Sequence, residues 1–181
     1  MIDAALEIFG SKGAAASTEE VAVRAGVGIA TVFRHFATKQ ALLEAVVLSR
    51  LERLVIRGHE IESDPDAGQF FTLFAVFVDE AHNKRVFGDV LTGASDEFRA
   101  ANVVIVDELW AIFGRLMARG QDGGLIRAEF DVADVRALLA AAHQALQMIG
   151  DDPERRRRLL AVLSDGVRSR PANEKAARRR P

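Results

Sequence analysis

Residues 17–39, with the sequence STEEVAVRAGVGIATVFRHFATK, constrain the fold of this chain more than any other segment. The pattern predicts two short helices joined by a tight turn at Gly26, because glycine adopts the left-handed conformation of such a turn at little cost. Ser17 followed three residues later by Glu20 forms a capping box, which marks the start of the first helix. The apolar residues of both helices are spaced so that they face each other. Two helices in this order are typical of a helix-turn-helix that binds DNA.

The charge of this segment differs from that of the whole chain, whose net charge is −2. Between Val21 and Leu43 there is no acidic residue, while Arg24, Arg34 and Lys39 are basic. Local positive charge of this kind attracts a protein to the phosphates of DNA. The second helix of the pair exposes a polar and aromatic face that is basic and free of acids, which suits the major groove. The residues of this face are Ile29, Ala30, Thr31, Phe33, Arg34 and His35.

This segment resembles the helix-turn-helix of the TetR family of bacterial transcriptional regulators. The residues that match the family's pattern are Ala25–Val27, Thr31, His35, Phe36, Lys39 and Leu42. The preceding helix also fits, with AALEIF at residues 4–9 followed by Lys12 and Gly13. The resemblance implies an all-α fold, in which an N-terminal three-helix bundle with the helix-turn-helix precedes a C-terminal helical ligand-binding and dimerisation domain.

Carried over position by position, the resemblance implies a set of DNA contacts. The first three residues of the recognition helix would meet bases or thymine methyl groups, and its later residues would meet phosphates or base edges. Lys39 would bind a phosphate beside a helix N-terminus, and the N-terminus of the preceding helix would face the DNA backbone. We expect Arg34 to make the contact that is specific to this protein. The full set is Ser17, Thr18, Ile29, Ala30, Thr31, Phe33, Arg34, His35 and Lys39.

The sequence departs from the family pattern in two ways. Phe33 stands where the family usually has a tyrosine whose hydroxyl binds a phosphate, and losing a hydrogen bond to a charged group costs about 1.5–3 kcal/mol. The family commonly has a basic arm before the first helix, whereas this chain begins directly with MIDAALEIFG. Both departures are expected to weaken DNA binding without abolishing it.

Apolar spacings of three and four residues recur along the rest of the chain, which favours helices throughout. We predict a helix-turn-helix domain at residues 1–45, a helical ligand-binding and dimerisation domain at 46–170, and a disordered basic tail at 171–181. The later helices are expected at about residues 38–57, from Pro65 onward, at Val86–Leu91, at about 96–119, at Val132–Ile149 and from Pro153 onward.

Aromatic and polar residues set into the apolar faces of the later helices are candidates for a ligand site. Each of them alone is more simply a core residue or a hydrogen-bonded polar group, but together they are compatible with a mixed aromatic and polar pocket for a partly apolar small molecule. The candidates are Phe74, Phe77, His82, Asp107, Trp110, Phe113, Met117, His143 and Gln147.

The last two predicted helices also carry apolar and alanine-rich faces. These faces are expected to pair with the same helices of a second copy, which gives a four-helix interface and a twofold homodimer. The basic run Arg155–Arg158 lies at a helix start and is interpreted as a solvated face that pairs with the acidic middle of the chain. A DNA contact from the arginine-rich tail is the less favoured alternative.

Several other classes of protein are disfavoured by the composition. The chain has no cysteine and no tyrosine, and its four histidines are too scattered to indicate a metal site. We therefore expect no metal, no cofactor and no enzymatic activity. The longest nearly apolar run, Phe70–Val78, is far shorter than the roughly 20 residues of a membrane span. Without a basic leader, the chain is expected in the cytoplasm, associated with the nucleoid through DNA.

The function predicted from these features is a ligand-responsive transcriptional regulator that binds a palindromic operator as a homodimer, and a repressor is favoured over an activator. One alternative keeps the DNA-binding module in a regulator that is independent of ligand or is controlled by a protein partner. A second alternative is a helical small-molecule carrier or enzyme with a vestigial DNA module.

Overall fold

The computed structural model describes residues 1–81, 94–150 and 152–169, and in these ranges the chain is built from α-helices, as predicted. The expected short helix at Val86–Leu91, the candidate ligand residue His82 and the tail 171–181 lie outside the described residues. The helices are α1 (Ile2–Lys12), α2 (Thr18–Ala25), α3 (Ile29–His35), α4 (Lys39–Ser63), α5 (Gln69–Ala81), α6 (Asp96–Asp122), α7 (Val132–Ile149) and α8 (Pro153–Val167), with a 3-10 turn at Gly13–Ala15.

The chain divides into two compact units. The first contains the described residues of 1–57 and 83–109, and the second contains those of 58–82 and 110–181. Helices α4 and α6 each contribute residues to both units. The predicted domain boundary after residue 45 stays a prediction.

The core of the first unit is formed by apolar side chains that α1 to α4 direct inward. Phe9 of α1, Val21 of α2, Val32 of α3 and Leu42 of α4 are completely buried. Their spacing along each helix leaves one apolar stripe per helix, so each helix is stable only when that stripe packs against the others. This packing fixes α2 on α1 and α3 on α2, and it positions the exposed side of α3.

The core of the second unit is aromatic at its centre. Phe70 and Phe74 of α5 stack with ring centroids 6.0 Å apart, and Phe113 of α6 meets Phe70 edge-on at 5.9 Å. Edge-on and offset arrangements of this kind stabilise aromatic pairs beyond the apolar area that they bury. All three side chains are completely buried.

The end of α8 is fastened to the loop that precedes α7. The backbone N–H of Arg127 donates to the carbonyl of Val167 over 3.1 Å, and the N–H of Ser169 donates to the carbonyl of Leu125 over 2.9 Å. The guanidinium of Arg168 lies 3.9 Å from the ring centroid of Phe71 on α5. These contacts hold α8 against α5 at the point where the described chain ends.

Two helix boundaries differ from the prediction by four residues or more. Helix α4 continues to Ser63 instead of ending near Arg57, because Ile61 extends its buried stripe and Arg119 donates to the carbonyl of Glu62 over 3.1 Å. Such a donor satisfies a carbonyl that the end of a helix leaves without a partner.

Helix α5 begins at Gln69, and the prediction that it begins at Pro65 was wrong. The carboxylates of Asp64 and Asp66 accept hydrogen bonds from the backbone N–H groups of Asp66 and Gly68, over 2.9 Å and 2.5 Å. Aspartate bonded to the backbone two residues on forms a turn that competes with helix. The helix therefore starts only after these two turns.

Candidate nucleic-acid interface and candidate effector site

The turn between α2 and α3 has the geometry that its sequence predicts. Gly26 adopts φ 67° and ψ 30°, the left-handed conformation that glycine reaches without strain. At the start of α2, the Ser17 hydroxyl accepts a hydrogen bond from the N–H of Glu20 over 3.1 Å, and the N–H of Ser17 donates to the Glu20 carboxylate over 2.8 Å. The capping box and the turn are both confirmed, and together they set the two ends of α2.

Helix α3 presents most of the predicted DNA-binding residues to solvent. Val32 is buried, whereas Ala30, Phe33, Arg34 and His35 are exposed. Ile29 and Thr31, at the start of the helix, are half-buried. The exposed side of α3 is therefore polar, aromatic and basic, as the sequence predicts. We call the six residues Ile29, Ala30, Thr31, Phe33, Arg34 and His35 the α3 face.

Arg34 and Arg24 differ in what they contact, although both lie in the stretch without acids. The Arg24 side chain donates to the Glu7 carboxylate over 2.9 Å, which ties α2 to α1 and raises the pKa of Arg24. Arg34 makes no ion pair with the described residues. Its guanidinium is thus able to bind a phosphate or a base edge.

At the start of α2, the backbone N–H groups are more available to bind a phosphate than the side chains are. The Ser17 hydroxyl is occupied by the capping box, and the Thr18 side chain is buried, with 7% of its surface exposed. A phosphate at this position would be bound by the free N–H groups of the first helical turn and by the helix dipole. Contacts from Ser17 and Thr18 stay a prediction, and on this geometry they are backbone contacts.

Two lysines lie close to the Glu20 carboxylate beside this helix start. The pKa of Glu20 is lowered by the hydrogen bond from Lys12, by the backbone hydrogen bond from Ser17, and by the charges of Lys12 and Lys39. Lys39, the first residue of α4, was predicted to bind DNA. Lys12 is not among the predicted residues, and the fold brings it from the end of α1 to the Glu20 carboxylate of α2.

The aromatic candidates for a ligand site meet in the second unit. Phe77 and Phe113 approach edge-on at 4.8 Å, Trp110 and Phe113 lie 5.6 Å apart, and Phe77 and Trp110 lie 6.3 Å apart. Phe74, Phe113 and Met117 are buried, whereas Phe77 and Trp110 keep part of their surface exposed. We call Phe77, Trp110 and Phe113 the aromatic cluster.

The polar candidates do not all join this cluster. Asp107 is exposed and belongs to the first unit, and Gln147 on α7 is exposed. His143, also on α7, is half-buried. A residue that was not predicted does lie on the cluster: the Arg136 guanidinium of α7 is 4.6 Å from the Trp110 ring centroid. In the sequence Arg136 is the one arginine of its helix, and no local pattern distinguishes it from a solvated charge.

Two other kinds of site are absent from the described ranges. Residues 1–81, 94–150 and 152–169 contain no helix that is long and apolar enough to cross a membrane. The same ranges contain no group of three or more histidine or carboxylate side chains arranged to hold a metal ion.

Comparison with known proteins agrees with the geometry of both units. Residues 1–46 match the family model of bacterial regulatory proteins of the tetR family, and residues 64–169 match the C-terminal domain of SbtR-like transcriptional regulators. No curated protein sequence matches the chain.

Several solved structures are similar over nearly the whole chain. A TetR transcription regulatory protein from Mycobacterium vanbaalenii is 31% identical, with 92% of each chain covered and a TM-score of 0.71. A TetR transcriptional regulator from Streptomyces coelicolor is 25% identical, with 94% of this chain and 97% of that chain covered and a TM-score of 0.71. The regulator FadR from Bacillus subtilis, solved in complex with stearoyl-CoA, shares the fold at 20% identity, with 92% and 97% covered and a TM-score of 0.66.

Proposed function

This chain belongs to the TetR family of bacterial regulatory proteins, and on that premise we propose that it is a homodimeric, effector-controlled repressor that binds a near-palindromic operator. The observation that carries the proposal is the α3 face, where Arg34 is free of any ion pair with the described residues. Because such a regulator binds chromosomal DNA, we place it in the cytoplasm, associated with the nucleoid.

The DNA-reading part of the proposal assigns separate tasks to the α3 face and to Lys39. The α3 face enters the major groove, where Arg34 is suited to hydrogen-bond a guanine and the exposed Phe33 to contact a thymine methyl group. Lys39, the first residue of α4, binds a phosphate, which positions the helix without reading sequence. Specificity thus comes from α3, and part of the salt-dependent affinity comes from Lys39.

The dimer is proposed to form through α7 and α8. Met148 on α7 and Val162 on α8 are 83% and 68% exposed, although both are large and apolar. The alanines at 137, 140 and 141 of α7 are also exposed, and small side chains allow a second helix to approach closely. Two copies of this surface related by a twofold axis would form a four-helix interface. A twofold dimer carries two copies of the α3 face, one for each half of a near-palindromic operator.

The effector is proposed to bind at the aromatic cluster of the second unit. Phe113 is completely buried by its neighbours, so an effector would contact Phe77 and Trp110, whose side chains are partly exposed. Release of DNA requires that the effector bind better to the conformation in which the two α3 faces do not fit the operator. An effector that binds this conformation more tightly than the DNA-binding one by about 1–3 kcal/mol weakens operator binding by the free energy typical of allosteric coupling.

The DNA-binding part is tested by fluorescence anisotropy with duplex DNA from upstream of the protein's own gene, titrated over salt against a scrambled duplex. We expect tighter binding to the upstream duplex with two chains per site. Lys39→Gln is expected to reduce the slope of log affinity against log salt by about one, because one phosphate contact is lost, whereas Lys12→Gln, whose lysine is paired with Glu20, should change the slope less. The control is Arg53→Gln, which removes the same charge from an exposed side chain that is paired with Asp3. Equal binding to both duplexes at every salt concentration would contradict sequence-specific regulation by this chain.

A further inference from the structure

Arg136 lies over an aromatic ring without an ion pair to the described residues, whereas Arg168, which lies over Phe71, also pairs with Asp165. Arg115 pairs with Glu62, Arg155 with Asp152 and Arg157 with Glu154. The Arg136 side chain is exposed. Its guanidinium lies over the ring of Trp110, 4.6 Å from the ring centroid, in a cation–π contact. It forms no ion pair with the described part of the chain.

Stacking on a ring leaves the hydrogen-bonding groups of a guanidinium unused. The cation–π attraction acts through the flat face of the group, and the N–H donors point outward in the plane of the guanidinium. These donors form the fork that matches a carboxylate, sulfonate or phosphate. The exposed Arg136 guanidinium, 4.6 Å from the Trp110 ring centroid, therefore keeps donors available for an anion.

The surface beside these donors is apolar. Phe77 lies 6.3 Å from Trp110, centroid to centroid, and both side chains keep exposed area. Covering aromatic surface with an apolar group removes it from water, which stabilises the complex in proportion to the area covered. An apolar ligand body on these two rings would bring any acidic group at its end within reach of Arg136.

We propose that the effector of this domain is an amphipathic anion, with its apolar body on Phe77 and Trp110 and its anionic group on the guanidinium of Arg136. This inference rests on the proposed effector site and adds the chemical class of the ligand. Arg136 is then the residue that selects anionic over neutral ligands of the same shape.

Two fluorescent probes separate the apolar and the anionic contributions. The probes 1-anilinonaphthalene-8-sulfonate and N-phenyl-1-naphthylamine share their ring systems and differ in the sulfonate. Both are titrated into the full-length protein, into Arg136→Gln, and into Arg158→Gln, which removes the same charge from an exposed position of α8. Because Trp110 is the only tryptophan and the chain has no tyrosine, protein emission comes from this cluster and is quenched by energy transfer to a probe bound there.

Arg136→Gln is expected to weaken the sulfonate probe by about tenfold or more, since a hydrogen-bonded charge pair is lost, and to leave the neutral probe within about twofold. Arg158→Gln is expected to change neither. An equal loss for both probes, or no loss for either, would overturn the assignment of Arg136 to an anion while leaving an apolar effector site in place. If neither probe binds the unaltered protein, the effector site itself is wrong, whereas DNA binding is measured separately and is unaffected by that outcome.

Discussion

The Glu44 carboxylate of α4 accepts two hydrogen bonds from Ser95, one from its backbone N–H and one from its hydroxyl, each 2.8 Å long. A third comes from the side-chain amide of Gln40 over 3.2 Å. The Ser95 hydroxyl also accepts a hydrogen bond from the N–H of Phe98 over 3.2 Å, so it caps the start of α6. Within the first unit, this carboxylate fastens α6 to the helix that directly follows the helix-turn-helix.

Burial alone would raise the pKa of Glu44, whose exposed fraction is 8%. The hydrogen bonds from the Ser95 backbone, the Ser95 hydroxyl and Gln40 outweigh this effect and leave the pKa below its ordinary value. A carboxylate with a lowered pKa stabilises the folded state in its ionised form.

Replacing Glu44 by glutamine should therefore destabilise the protein. The amide nitrogen of Glu44→Gln cannot accept from Ser95, so one donor is left without a partner in a buried place, at a cost of about 1–3 kcal/mol. The measurement is the free energy of unfolding in urea at pH 7. Glu52→Gln, at an exposed position of the same helix, is the matched control and should change the stability by less than about 0.5 kcal/mol. Equal stability of Glu44→Gln and the unaltered protein would show that the hydrogen bonds do not fasten α6.

The contribution of Glu44 should also depend on pH in a definite direction. Its pKa is lowered in the folded state relative to about 4.5 when unfolded, so the unfolded chain takes up the proton first as the pH falls. The stabilisation is fully present above pH 4.5 and is lost as the pH drops below that value through the lowered folded pKa. The stability difference between the unaltered protein and Glu44→Gln, measured from pH 7 to pH 3, should shrink over this lower range. A difference that grows as the pH falls would contradict a lowered pKa.

Arg34→Gln should weaken binding to the operator by about 1–3 kcal/mol and relax the preference at one base pair, if the guanidinium reads a base. If it binds a phosphate instead, affinity should fall equally for all sequences, with a shallower salt dependence. Anisotropy titrations against the operator and its single-base variants distinguish the two cases. Arg24→Gln is the control, because the Arg24 side chain is already hydrogen-bonded to Glu7, and it should leave operator affinity and salt dependence nearly unchanged. Unchanged affinity and salt dependence for Arg34→Gln would show that Arg34 is not part of the interface.

The exposed apolar side chains of α7 and α8 lead to a prediction about assembly. Placing a carboxylate at the centre of an apolar interface leaves a charge buried without a partner, which is strongly destabilising. Met148→Glu or Val162→Glu should therefore convert the dimer to a monomer, as measured by light scattering after size-exclusion chromatography. Val23→Glu on α2 changes an equally exposed apolar residue of the first unit and should leave the mass of a dimer. A dimer that survives both changes in α7 and α8 would place the interface elsewhere.

What could be predicted from the sequence follows from how local each signal is. The capping box of Ser17 and Glu20 and the turn at Gly26 depend on residues close in sequence, and both were predicted correctly. The extension of α4 to Ser63 depends on Arg119, which lies 57 residues from the carbonyl that it binds. The start of α5 was wrong because two aspartates after Ser63 form turns that a proline-based rule does not consider.

The candidate site shows the same limit. The α3 face could be predicted from one short segment, because helical spacing decides which side of a short helix is buried. The Glu44 carboxylate and Ser95 are 51 residues apart, and Arg136 is brought to Trp110 from another helix. Neither contact leaves a pattern in the local sequence, so the residue that we assign to an anionic effector could be recognised only in the folded structure.

Hydroxyl-radical footprinting of the upstream duplex tests most directly whether two α3 faces read one operator. We expect two protected half-sites whose centres lie about one helical turn, roughly 10 base pairs, or a small multiple of it apart, as a twofold helix-turn-helix dimer requires. Arg34→Gln should weaken both halves together, because the same residue acts in each copy. A single protected stretch without twofold symmetry, or uniform weak protection along the duplex, would contradict a dimeric operator-reading regulator.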